Sequence, residues 1–169
     1  MADRWRGRRL AGLAAVALLA AFTATTVVIA GRDGARSLVV RDASGAELAR
    51  VAISPSGDFA LRYRNSVYES LAEERFQVQD GRLRLVELGA DELAVLEEYS
   101  TAVGAERTEP GSTRAWRIRV DRPPIDLPLH VQATNLGRRT LLVDGREIAL
   151  WQLVAGRDDT SITLDVEDR

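Results

Sequence analysis

The sequence predicts an all-β domain, an antiparallel β-sandwich with one short helix, preceded by an N-terminal transmembrane helix. Three observations carry this prediction: apolar residues that alternate with a period of two, Asp-Gly pairs that suit tight turns, and one long apolar stretch without charge. Turn signals space the strands about 8–12 residues apart, which is typical of a sandwich or a barrel. A partly closed β-barrel is therefore the alternative architecture.

The apolar stretch, residues 10–31, holds 22 residues and no charge. As a helix it covers about 33 Å, enough for a hydrocarbon core of about 30 Å. Residues 1–9 carry four Arg and one Asp, whereas residues 32–169 carry 19 Arg and 24 acidic residues. Because a positive flank stays in the cytoplasm, we expect a single-pass protein of the cell membrane with its C-terminal part outside the cytoplasm. The alternative is a secreted domain, released by signal cleavage near Ala30.

The rest of the chain divides into a linker and one domain. Residues 1–9 form the cytoplasmic flank, residues 32–37 are polar and contain glycine, as a linker does, and residues 38–169 form the extracytoplasmic β-domain.

The chain has no Cys, which excludes disulfides, thiolate metal sites and a cysteine nucleophile. It has no Lys, which excludes Schiff-base chemistry. We expect no cofactor and no metal, and the net charge of the exported part argues against a nucleic-acid partner.

Four segments alternate between apolar and polar residues as half-buried strands do. They are residues 59–64, 116–120, 125–132 and 162–167. The residues expected to face inward are Phe59, Leu61 and Tyr63 in the first, Trp116, Ile118 and Val120 in the second, Ile125, Leu127, Leu129 and Val131 in the third, and Ile162, Leu164 and Val166 in the fourth.

Two Asp-Gly pairs predict β-hairpins. Asp80-Gly81 suits a two-residue primed turn. In the register that this turn sets, Val78 faces Leu83, every apolar residue faces an apolar one across the hairpin, and every polar residue faces a polar one. Asp144-Gly145 predicts a second hairpin. Residues 44–45 and 55–57 mark further turns.

Residues 90–104 break the period of two. Leu93, Leu96 and Val103 are at helical spacing, and Gly104 stands where a helix stop belongs. This segment predicts one helix of about three turns. Residues 69–76 fit either a capped helical turn or a strand, although the strand entering the Asp80-Gly81 turn must begin by Phe76.

Catalytic motifs are absent from the sequence, so we expect no enzyme. His130 is the only histidine, and the alternation places it on a polar, solvated face. Three strands carry two outward arginines each: Arg62 and Arg64, Arg82 and Arg84, Arg117 and Arg119. Either these guanidinium groups share an anion-binding face, or they are ordinary exposed cations that pair with the many acids of the domain.

Part of the chain resembles a known protein family, over residues 59–67, 73–87 and 141–150. They resemble the family catalogued as domain of unknown function 1850, small exported proteins met beside the membrane subunits of TAXI-type TRAP solute transporters. The matching residues are Tyr63, Ser66, Val67, Glu74, Phe76, Gly81, Leu83, Leu85 and Glu87. Asn65 stands where the family pattern carries His, and Leu71 where it tends to carry Pro, so any role of that histidine is lost here.

The resemblance implies that the membrane subunits of a solute transporter are partners of this protein. It also indicates Tyr63, Ser66 and Glu74 as candidate functional residues. Beside them, Arg62 and Arg64 supply cations, and Asn65 and Ser66 supply neutral donors. We therefore hypothesise a ligand-binding site for a small organic anion at Arg62, Tyr63, Arg64, Asn65, Ser66 and Glu74, with the paired Glu73 beside it. The predicted function is a membrane-anchored accessory or ligand-binding module of a solute transporter. The alternative is a structural or envelope-interaction domain without a small-molecule site, in which these residues have only structural roles.

Overall fold

The computed structural model describes residues 36–99 and 103–168, which fold mainly into antiparallel strands. The strands are β1 (Ser37–Asp42), β2 (Glu47–Ala52), β3 (Asp58–Arg64), β4 (Leu71–Gln79), β5 (Arg82–Ala90), β6 (Glu106–Arg107), β7 (Trp116–Arg119), β8 (Ile125–Asp126), β9 (Leu129–Gln132), β10 (Thr140–Val143), β11 (Arg146–Ala149) and β12 (Ser161–Glu167). Two short helices accompany them, α1 (Leu93–Tyr99) and α2 (Leu150–Leu153). The sequence did not predict α2.

The strands form two sheets. The smaller sheet has the order β2-β1-β12-β9, and the larger has the order β11-β10-β3-β4-β5-β7-β6, with β8 paired to β5. Across the described residues the two sheets stay separate and close into no barrel. The prediction of an all-β, sandwich-like fold is confirmed.

The hairpin at Asp80-Gly81 has the predicted register. Val78 pairs with Leu83 across the turn, and both turn residues have positive φ, 51° at Asp80 and 72° at Gly81, as a primed turn requires. The second hairpin, joining β10 to β11, is confirmed in the same way. Of the two structures predicted for residues 69–76, a capped helical turn and a strand, the strand is the one observed, since β4 begins at Leu71.

The main hydrophobic core lies between the two sheets. Leu38, Val40 and Leu164 enter it from the smaller sheet, and Leu61 and Phe76 from the larger. The inward faces predicted for residues 59–63 and 162–164 are confirmed, because these alternate side chains are buried. A second cluster lies where α1 packs on the larger sheet, and it contains Tyr63, Ala72, Leu88, Ala90, Val95, Leu96 and Ile118.

The prediction of one strand over residues 125–132 is wrong. Residues 125–126 pair with β5 in the larger sheet, whereas residues 129–132 pair with β12 in the smaller one. Pro128 lies between them and has no N–H to donate to a ladder. The chain changes sheets here, and Ile125 is 41% exposed instead of buried. The other three residues predicted to face inward do so: Leu127 and Leu129 pack against the main core, and Val131 is buried in it.

The predicted helix is confirmed over the part of it that the structure describes. It covers Leu93–Tyr99, about two turns, and residues 100–102 lie outside the described ranges. Leu96 is buried as expected. Val103, expected on the same apolar face, is 88% exposed, because it lies in the turn before Gly104.

The predictions for residues 1–35, which include the cytoplasmic flank, the transmembrane helix and most of the linker, fall outside the described residues. Among the described residues, no helix has the length and apolar character needed to cross a membrane. Strand β1 begins at Ser37, the last residue assigned to the linker, and Ser37 is buried.

Candidate functional site

The outward arginines of the strands do not form a free cationic face. Strand β4 separates β3 from β5, and five of the six arginines pair with carboxylates of the described residues. These pairs are Arg62–Glu147, Arg64–Glu69, Arg82–Asp126, Arg84–Asp121 and Arg117–Glu106. The structure thus favours the interpretation of four of them, Arg62, Arg82, Arg84 and Arg117, as ordinary exposed cations, whereas Arg64 also lines the cavity described next.

A turn built by Asn65 forms the first wall of a cavity at the end of β3. The side-chain oxygen of Asn65 accepts hydrogen bonds from the backbone N–H groups of Val67 at 2.9 Å and Tyr68 at 3.0 Å. The backbone N–H of Asn65 donates to the carbonyl of Ser70 at 2.8 Å. An asparagine side chain that satisfies backbone donors two and three residues on is the usual device for such a turn. Asn65 therefore fixes the direction in which Ser66 leaves the strand.

A second turn, residues 134–138, forms the opposite wall. The Thr134 hydroxyl accepts a hydrogen bond from the backbone N–H of Gly137 at 3.1 Å. The Gly137 carbonyl accepts one from the backbone N–H of Arg64 at 2.8 Å. That bond ties this turn to the end of β3 and places Arg139, which follows the turn, beside Tyr63.

The two turns border an open cavity of about 220 Å³, which we call the β3-end cavity. Its lining combines two arginines, two tyrosines and several neutral polar groups: Tyr63, Arg64, Asn65, Ser66, Tyr99, Gln132, Thr134, Leu136, Gly137 and Arg139. Neither Asp nor Glu occurs among these described lining residues. The lining thus contains two guanidinium groups, each paired with a carboxylate that lies outside the lining, Glu69 for Arg64 and Glu74 for Arg139. Aromatic walls and hydroxyl and amide groups that can donate hydrogen bonds complete it.

The guanidinium of Arg139 is held at the cavity by two groups. Its central carbon lies 4.6 Å from the centre of the Tyr63 ring, within the range of a cation–π contact. Its Nη1 lies 3.5 Å from Oε2 of Glu74. The Tyr63 ring meets the Tyr99 ring edge-on, with centroids 6.4 Å apart. Because an arginine has five N–H donors in a planar fork, it keeps donors for a ligand after these contacts.

Glu74 lies behind Arg139, on the inner face of the larger sheet. It pairs across the strands with Leu61 on one side and Leu88 on the other, and both leucines are buried. The pairing of β4 with β5 skips Val86, so a bulge brings Leu88 to the same face as Glu74. Burial raises the pKa of Glu74 above its usual range, and the charge of Arg139 opposes that rise. Burial, and next the charge of Glu74, raise the pKa of Tyr63 well above its usual range.

The structure brings together four of the six predicted site residues as lining of the β3-end cavity: Tyr63, Arg64, Asn65 and Ser66. Glu74 stands behind Arg139. Asn65 is 6% exposed and its side chain is committed to the turn and to Glu98, whose Oε2 accepts from its amide at 3.4 Å. It shapes the cavity more than it offers donors.

Arg62 does not belong to this group, and the prediction is corrected. Successive side chains of a strand point to opposite faces, so Arg62 leaves β3 on the outer face and pairs there with Glu147. Arg64 has the same parity, but it is the last residue of β3 and lines the cavity at the strand end. Glu73 is on the outer face for the same reason. It is 2% exposed and pairs with Arg75 at 2.9 Å. The adjacent acids 73 and 74 thus do not form a carboxylate pair.

Sequence reasoning missed Arg139, Tyr99, Gln132 and Thr134. These residues come from α1, from β9 and from the turn before β10, and they meet the end of β3 only in the folded domain. The one available signal was the turn-forming run Asn135-Leu136-Gly137, which is followed by two arginines.

Comparison with protein-family models, with curated proteins and with solved structures found no match to this chain. The resemblance to the family of domain of unknown function 1850 therefore stays a prediction, and the function is argued from the cavity itself.

Proposed function

We propose that this chain is a membrane-anchored extracytoplasmic module that binds a small organic anion at the β3-end cavity, as an accessory of a solute transporter. The observation that supports this most is the lining of the cavity, which presents Arg64 and Arg139 but no acidic residue among the described positions. Guanidinium groups bind carboxylates through charge-assisted, often bidentate hydrogen bonds.

The remaining groups of the cavity suit a small carboxylate. The hydroxyls of Ser66 and Thr134 and the amide of Gln132 can orient its polar atoms, while the rings of Tyr63 and Tyr99 can cover its carbon skeleton. Arg64 pairs at 3.0 Å with Glu69, which is 71% exposed. Such an exposed ion pair contributes little to stability, so a ligand can replace Glu69 at low cost.

Titration calorimetry of the full chain in detergent tests the binding proposal. Pyruvate, succinate, glutamate and benzoate are suitable probes, because each has a carboxylate and few other heavy atoms. At least one is expected to release or absorb heat with a saturable one-site isotherm. If all four give only heats of dilution, the anion-binding proposal fails.

The anchored topology is tested separately. A reporter that is active only in the cytoplasm, fused after Arg169, is expected to be inactive, because the positive flank at residues 1–9 stays inside. The same reporter fused after Arg9 is the matched control and is expected to be active. Activity of the C-terminal fusion contradicts the export of the domain and the transporter association with it.

One observation favours the second candidate, an envelope-interaction domain. Val67 and Leu136, on the two turns that form the cavity walls, are 66% and 62% exposed. Large apolar side chains that cluster at one exposed end are typical of protein contact surfaces. The absence of heat from every probe would leave this candidate standing.

A further inference from the structure

Two anions would compete for one cation at the β3-end cavity. Glu74 already uses Arg139, with Nη1 and Oε2 3.5 Å apart, and a bound carboxylate would draw the same guanidinium toward the cavity. Two carboxylates that share one site cannot both keep their charge without a large cost.

We propose that the site binds its carboxylate ligand together with one proton, which Glu74 takes up from solvent as Arg139 engages the ligand. This inference rests on the proposed function and adds a second bound species, the proton, to it. In the step, the ligand stays ionised, Arg139 stays protonated, and the Glu74 carboxylate gains an O–H bond with a proton delivered by water or buffer.

The surroundings of Glu74 offer little else to stabilise its charge. Leu61 of β3 and Leu88 of β5 flank it across the strands. Tyr63 faces it from β3 and Arg139 from the segment before β10, and Tyr99 of α1 stands against the far edge of the Tyr63 ring. The other nearby acid of α1, Glu98, is engaged by the side chain of Asn65.

A buried carboxylate that loses its cation is destabilised unless it becomes neutral. The side chain of Glu74 is 19% exposed, so solvent compensates only part of that loss while still supplying the proton. Burial already raises the pKa of Glu74 in the free protein. The approach of a second negative charge raises it further.

The direction of the pH dependence follows from this rise. Because the pKa of Glu74 is higher in the complex than in the free protein, the complex holds more protons, and the affinity falls as pH rises through the interval between the two pKa values. Within that interval the dissociation constant is expected to increase about 10-fold per pH unit. Below both pKa values, Glu74 is neutral before binding and the affinity no longer depends on it.

Calorimetry at one pH in two buffers measures the proton directly. The full chain is titrated with whichever of pyruvate, succinate, glutamate and benzoate gives the strongest heat. The buffers are HEPES and Tris near neutral pH, and MES and Bis-Tris near pH 6, because the members of each pair differ in ionisation enthalpy and none is a phosphate or carboxylate that could occupy the site. The observed enthalpy is expected to differ between the buffers by an amount that corresponds to uptake of up to about one proton per ligand. Glu74→Gln is expected to abolish this difference and to bind at least as tightly as the wild type at neutral pH, since it removes the competing anion.

Glu147→Gln is the matched control. It also neutralises an acid that pairs with an arginine, but on the outer face of the sheet, and it is expected to keep the buffer dependence. Heat without any buffer dependence in the wild type, in either buffer pair, overturns the proton uptake and leaves the binding function intact. Buffer dependence that persists in Glu74→Gln assigns the proton to another group and also overturns the inference. Absence of heat from every probe contradicts the binding function itself, and the inference falls with it.

Discussion

Arg139→Gln is expected to weaken carboxylate binding about 10-fold to 150-fold, because a hydrogen bond to a charged group contributes about 1.5–3 kcal/mol. Arg139 supplies a charged group of the β3-end cavity whose position the fold fixes from two sides, by the Tyr63 ring and by Glu74. Glutamine keeps one amide donor and removes the charge. Calorimetry with the carboxylate probes measures the change in dissociation constant.

Arg62→Gln is the matched control for Arg139→Gln. Arg62 is also paired with a glutamate, but on the outer face of β3, so its replacement is expected to leave the affinity within about twofold. Because Arg139→Gln leaves Glu74 without its cation, the double variant Glu74→Gln/Arg139→Gln serves if the single variant does not fold. The double variant is compared with Glu74→Gln, which lacks the same carboxylate, and equal affinities of these two variants would show that Arg139 does not contact the ligand.

Phe76→Ala is expected to lower the free energy of unfolding by about 3–5 kcal/mol, the range for truncating a fully buried Phe in a core. The Phe76 ring is 5% exposed and stacks on Phe59 with centroids 5.3 Å apart and an interplanar angle of 18°. The variant therefore loses both buried apolar area and an aromatic pair in the main core. Urea denaturation of the full chain in detergent, followed by fluorescence, measures the loss.

Val103→Ala is the control for this truncation. Val103 is 88% exposed, and a surface change of this kind is expected to alter the free energy of unfolding by less than about 0.5 kcal/mol. A Phe76→Ala variant with the same denaturation midpoint as the wild type would mean that the face of β4 that carries Phe76 is not the buried one.

Features encoded within a few residues could be predicted from the sequence. The register of the Asp80-Gly81 hairpin follows from the turn pair and from the alternation on both sides of it, and the structure has that register. The split at residues 125–132 could not be predicted from alternation, because the pattern of side chains does not say which sheet each half joins. That assignment depends on the partners β5 and β12.

Only those residues of the candidate site that belong to the end of β3 could be predicted from the sequence. Tyr63 and Ser66 belong to one strand end and follow from the sequence around them, whereas Arg139 comes close to Tyr63 only through the turn at residues 134–138 and its hydrogen bond to Arg64. The position of Glu74 illustrates the same limit. The adjacent acids Glu73 and Glu74 look alike in the sequence, but adjacent residues of a strand lie on opposite faces of the sheet. Glu73 therefore lies on the outer face, whereas Glu74 lies on the inner face beside the leucines.

The smaller sheet separates the start of the domain from the β3-end cavity. Ser37, where the chain enters the domain, pairs with Glu167 at one end of β12, whereas Gln132 of the cavity pairs with Ser161 at the other end. Six residue steps of a strand separate these ends by about 20 Å. If residues 10–31 anchor the chain as proposed, the point of attachment and the cavity lie at opposite ends of the smaller sheet. Under that proposal, delivery of a ligand to a neighbour in the same membrane would require the domain to tilt.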